Sequence, residues 1–108
     1  MKANPLFEIL VPTIYGDTLK PISTKHHKEW DKRVRAITGG LTILSPAKGQ
    51  WMNEGVLYGE RVIPVRIMCS EKQISLIVGM TIQHYRQKAV MFYKITDDVE
   101  IRFAKDTK

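Results

Sequence analysis

One cysteine, Cys69, stands in 108 residues, so no intrachain disulfide can form and a zinc site built on several thiolates is excluded. Such a chain suits a reducing compartment. Long apolar runs are missing too, for none approaches the roughly 20 residues a membrane-crossing helix needs. Met1-Lys2-Ala3-Asn4-Pro5 passes directly into an apolar strand, without the apolar core of a signal peptide. The expectation is a soluble, cytoplasmic protein with no membrane partner. Also absent are the phosphate-binding loop of nucleotide hydrolases, the G-x-G-x-x-G dinucleotide fingerprint and the G-x-S-x-G nucleophile elbow, which leaves those chemistries without a foothold. Acid is scarce: Lys+Arg number 17 against 11 Asp+Glu, a net +6 at pH 7. That balance favours anionic partners such as nucleic acid, nucleotides or phosphorylated metabolites, although net charge also serves solubility alone.

What is present, 44% hydrophobic residues in a chain of this length, is enough for one core, and a single domain over residues 1–108 is expected. Leu6 to Val11 reads as a strand closed by Pro12. Ser23 or Thr24 can cap a helix on which Trp30, Val34 and Ile37 recur at helical spacing until Gly39-Gly40 end it. Leu41 to Leu44 and Val56 to Cys69 read as strands, with Ser45 to Gly49 as a loop. Ser70-Glu71-Lys72-Gln73 has the residues of a capping box and opens a helix running to about Gln87. Ala89 to Ile95 and Val99 to Phe103 follow as strands around Thr96-Asp97-Asp98. The fold class is therefore α+β: a ferredoxin-like βαββαβ with an additional C-terminal strand, two helices covering one face of an antiparallel sheet. Pro64 resists this order, because it falls in a strand that should be central.

The sheet face away from the helices would carry Leu6, Glu8 and Leu10, Val62, Arg66 and Met68, and Val90, Phe92 and Lys94. That mixture asks for a partner, and a homodimer or larger homo-oligomer is expected.

Candidate chemistry is scattered. Glu60 follows Gly59 at the start of the longest strand; turned inward, it needs a partner such as Arg66, Tyr85 or Gln87. Trp51, beside Gly49, could wall such a pocket or stack on a base, or it could simply cover the core. Lys25, Lys28, Lys32 and Arg35 form one stripe along the first helix, readable as a phosphate-contacting edge for nucleic acid or as a solvated face softened by a Glu29/Arg33 pair. The strands lack the aromatics of a single-stranded RNA platform. His26 and His27 point about 100° apart on a helix, and no metal or other cofactor is expected. A lone histidine, His27 or His84, could serve Glu60 as an acid-base partner. Whether there is any catalysis is left open.

Trp30 on the first helix, Gly40-Leu41-Thr42, Gly49-Gln50-Trp51, Glu60 and Gln87-Lys88-Ala89-Val90 occur in this order. With them the chain resembles, from Leu6 to Phe103, a family of small uncharacterised bacterial and phage proteins. The resemblance implies a ferredoxin-type domain and links Trp51, Glu60 and Gln87 as a group, while implying no activity. The leading expectation is a non-catalytic, oligomeric protein that holds a small anionic, nucleotide-like ligand near Trp51, Glu60, Arg66, Tyr85 and Gln87. A nucleic-acid module using the basic helix and a small Glu/His enzyme are the alternatives.

Overall fold

The structure, a computed structural model, describes residues 3–105; Met1 and Lys2, with which the expectation of no signal peptide begins, lie outside the described residues. Strand β1 spans Leu6–Pro12, helix α1 Thr24–Thr38, β2 Thr42–Ile43, β3 Ala47–Asn53, β4 Val56–Met68, helix α2 Glu71–His84 and β5 Phe92–Thr96. The sheet is antiparallel, ordered β2-β4-β1-β5, with β3 also paired to β4. Two helices pack on one face of an open antiparallel sheet, as the ferredoxin-like reading requires.

Local chemistry sets the helix ends. The Ser23 hydroxyl accepts from the His26 amide at 3.2 Å, and Gly39, at φ 89°, closes α1 by donating its amide to the Arg35 carbonyl at 2.8 Å. Ser70 and Gln73 make the reciprocal capping box, and the Gln73 amide also reaches the Ile37 carbonyl at 3.1 Å, tying the start of α2 to the end of α1. Helix α2 ends at His84, short of Gln87. Arg86 turns left-handed at φ 50°, and the Gln87 amide donates back to the Ile82 carbonyl at 2.9 Å. This turn sets the direction in which the chain leaves the helix towards the candidate site.

Alternation along the strands sorts the two faces. Phe7, Ile9, Val11, Val65 and Ile67 point to the helices and meet Trp30, Val34, Ile74, Ile77 and Tyr85 in the core. The Trp30 indole donates to Thr81 Oγ1 at 2.9 Å, which satisfies the polar atom that burial would strand. Pro64 fits inside β4 for a geometric reason. It pairs with Leu10, whose own amide donates to Met91 on the other side, and the Pro64 carbonyl accepts from Leu44 at 2.9 Å. The missing N–H therefore faces the short β2 side, where the ladder ends, and no β1 hydrogen bond is lost.

Three expectations change. Residues 47–49, read as loop, begin β3, and the extra strand of the sheet is this one; residues 101–105 carry no regular strand. On β5 the register sets Tyr93 opposite Glu8, so Phe92 and Lys94 belong to the helix side, where Lys94 pairs with Glu71 of α2.

Candidate functional site

Strand β1 ends at Pro12 opposite Val62, whereas β3 and β4 continue together to the turn at Glu54 and Gly55. Positive φ values of 51° and 79° at these two residues suit the tight hairpin. The hairpin is therefore a two-stranded arm beyond the body of the sheet, and the molecule extends 60 Å along its longest axis. Trp51 faces Tyr58 across the arm, with ring centroids 5.7 Å apart and planes 15° from parallel. Gly49 faces Glu60, and Ala47 faces Val62. These pairs share the face turned away from the helices.

At the root of the arm lies a groove of about 470 Å³. Leu10 and the buried Val62 belong to its floor, Trp51 and Glu60 come from the arm, and the segment from Gln87 to Met91 closes the far side. Trp51, Glu60 and Gln87 also border a second hollow of about 350 Å³, lined by Pro12 to Gly16, Leu19 and Arg61. The three residues stand where the two hollows meet. Glu60 is exposed and has no hydrogen-bond or ion-pair partner among the described residues. The carboxylate thus needs no internal counter-charge and is free for a ligand. Gln87 is fixed from behind: its amide nitrogen donates to the Ile14 carbonyl at 2.9 Å and to the Tyr85 carbonyl at 3.0 Å. Both hydrogens are used, so its oxygen is the polar atom left over.

Two residues expected with this group lie elsewhere. Arg66 is six residues further along β4, about 20 Å at strand spacing, and its Nε donates to Glu8 Oε1 at 3.0 Å. The hydroxyl of Tyr93 donates to the other oxygen of Glu8, making a three-strand polar link. Tyr85 is fully buried, and its hydroxyl is 2.8 Å from His27 Nδ1. Burial pushes the phenol far above its ordinary range, with Asp31 and Tyr15 adding to the shift, so Tyr85 keeps its proton.

None of the three histidines lines the groove. His26 and His84 stack with centroids 3.8 Å apart and planes 14° from parallel. Each ring's Nε2 donates to the other's backbone carbonyl, at 2.7 and 2.8 Å. Glu29 approaches His26 Nδ1 at 3.5 Å and Arg33 approaches His84 Nδ1 at 3.5 Å, so the expected Glu29/Arg33 pair is replaced by two contacts to imidazoles. Ligand atoms of His26, Glu29 and His84 lie within 4.8 Å of one another. The in-plane lone pairs of stacked rings run side by side instead of converging, and the arrangement is that of a clasp between the start of α1 and the end of α2. Nothing in the spacing of His26 and His84 announced it, because they are 58 positions apart.

The basic stripe is in place: Lys25, Lys28, Lys32 and Arg35 are all exposed, and the first three border a shallow hollow that Glu29 shares. Cys69 is buried, and burial raises its thiol to about 11, with Glu71 adding to the shift, which keeps it protonated and unreactive. No helix among the described residues is long and apolar enough to cross a membrane.

No protein-family model matches the chain, and no curated protein shows significant similarity to it. Solved structures do share the fold. The periplasmic divalent cation tolerance protein CutA from Archaeoglobus fulgidus superposes with a TM-score of 0.63 at 12% identity, covering 92% of this chain and 86% of that one. The stable CutA protein from Shewanella sp. SIB1 gives 0.65 at 10% identity, covering 95% and 88%. A phage SAM lyase in complex with S-methyl-5′-thioadenosine gives 0.66 at 12% identity, covering 92% and 85%. At these identities the likeness establishes the ferredoxin-like fold and nothing finer.

Proposed function

We propose that this is a non-catalytic binding protein for a small nucleoside-like ligand, held at the groove between the hairpin arm and the Gln87–Met91 segment, and that it works as a homo-oligomer. The observation that carries the reading is the convergence of Trp51, Glu60 and Gln87 on one groove of about 470 Å³. That volume matches a drug-sized ligand, and an aromatic wall above an apolar floor with few polar groups is the usual composition of such sites. Trp51 offers a face for a flat heterocycle, and the carboxylate of Glu60 and the oxygen of Gln87 offer acceptors for a sugar diol or an amino group. The phage lyase of the same fold was solved with a thioether nucleoside, which favours this class of ligand. Among the described residues that line the groove, Glu60 is the one titratable group, and this supports a binding role.

The arm supplies the argument for an oligomer. Trp51, Tyr58 and Val56 are exposed on one side of it and Met52 and Leu57 on the other. A two-stranded ribbon with apolar side chains on both faces is marginal alone and gains by packing on another surface. Calorimetric titration with S-methyl-5′-thioadenosine tests the site. The wild-type protein should bind with a measurable heat, and Trp51→Ala should weaken binding by about fivefold or more, since stacking contributes about 1–3 kcal/mol per base. Unchanged affinity in Trp51→Ala would move the ligand away from this groove.

A further inference from the structure

We infer that the groove takes ligands whose polar end is a cation and discriminates against phosphates and carboxylates, the opposite of what the net charge of the whole chain favours. The inference rests on the binding reading above and narrows its ligand class. Of the residues lining the groove, Glu60 alone carries a formal charge, and its carboxylate is unpaired among the described residues. Lys48 and Arg61, register partners on the arm, do not line it, although they share a neighbouring hollow with Glu60. Arg66 is committed to Glu8 at 3.0 Å. Gln87 has spent both amide hydrogens on the Ile14 and Tyr85 carbonyls and adds a second acceptor. The groove therefore holds one uncompensated negative charge beside an exposed indole, a combination that favours an organic cation electrostatically and through the aromatic face. A phosphate placed in this groove meets a carboxylate, while Arg61 lines the adjoining hollow and not this one. Among the described residues, no Lys or Arg lines this groove.

Three probes sharing an adenosine body separate the outcomes: 5′-amino-5′-deoxyadenosine, a cation at pH 7; S-methyl-5′-thioadenosine, neutral; and adenosine 5′-monophosphate, an anion. In titrations at low salt the amine should bind about tenfold more tightly than the thioether, the size of one favourable charge-assisted contact. The monophosphate should bind more weakly than either. Glu60→Gln, a change at an exposed and unpaired side chain, should keep the melting temperature and bring the amine to the affinity of the thioether. Monophosphate affinity equal to or above that of the thioether overturns the inference, as does an amine preference that survives Glu60→Gln; in both cases the nucleoside site itself stands. If none of the three binds, the nucleoside reading fails, and the charge rule is decided by Trp51 fluorescence with phenethylammonium against phenylacetate. Stronger quenching by the ammonium, lost in Glu60→Gln, upholds it; equal or stronger quenching by phenylacetate overturns it.

Discussion

Among single residues, Gln87 shows how one side chain can join the fold to the site. Its two amide donations hold the Ile14 and Tyr85 carbonyls, so the loop after β1 and the end of α2 are stitched together at the edge of the groove. Gly16 belongs to the same seam. A Cβ at Gly16 would come within 2.4 Å of the Arg86 carbonyl oxygen, a backbone atom that cannot swing away. Gly16→Ala should therefore lower stability by about 1–3 kcal/mol, the range for overpacking, read as a drop in melting temperature; an unchanged melt would mean that the loop adjusts freely. The grouping of Trp51, Glu60 and Gln87 was visible in the sequence only as an ordered pattern. Their meeting was not, because Gln87 reaches the arm through a left-handed Arg86 that no propensity rule places there. Arg66 and Tyr85 were grouped with them by residue type. Strand register separates the first, which shares a face with Glu60 but not a neighbourhood, and complete burial separates the second.

The elements were legible where local chemistry dominates. The Ser70–Gln73 capping box, the Gly39 stop and the period-two run of Ile63, Val65 and Ile67 all appear as the residues dictate. The β3 strand was not legible, since Ala47-Lys48-Gly49 has weak strand preference and pairs because β4 is long enough to receive it. The His26–His84 clasp and the His27–Tyr85 bond join the start of α1 to the end of α2, and here a pH effect follows. The pKa of His84 is lowered by burial first, with His26 and Arg33 adding to the shift while the His26 carbonyl and Glu29 oppose it. Burial likewise lowers His27, against an opposing pull from Asp31. Both imidazoles therefore take up protons less readily when folded than at their ordinary 6.5. Their contribution to stability is intact above that pH and is lost as the pH falls below it, because the unfolded chain then binds more protons. Asp31, whose carboxyl burial raises, works in the other direction. The melting temperature should fall between pH 7 and pH 5, and His84→Gln, which removes the charge change while keeping an N–H donor, should flatten that fall. A slope identical to wild type would remove His84 from the account.

The whole molecule is a small helical layer on a sheet whose other face is apolar along much of its length, with an arm that continues that face past the body. Met91 and Tyr93, exposed at 65% and 43%, extend the apolar surface to the opposite edge. The Arg66–Glu8–Tyr93 link sits in its middle. The sequence reading put Phe92 and Lys94 on this face in place of Tyr93, because the β5 register cannot be read from alternation alone. Net charge pointed towards anionic ligands and the groove points the other way, since composition averages over surfaces that lie apart from the site. Native mass spectrometry of the freshly purified protein, beside its Trp51→Ala variant, tests the central claim most directly. The account predicts a dimer or larger species carrying a discrete extra mass in the wild type and the same assembly without that mass in the variant. A bare monomer in both would contradict it.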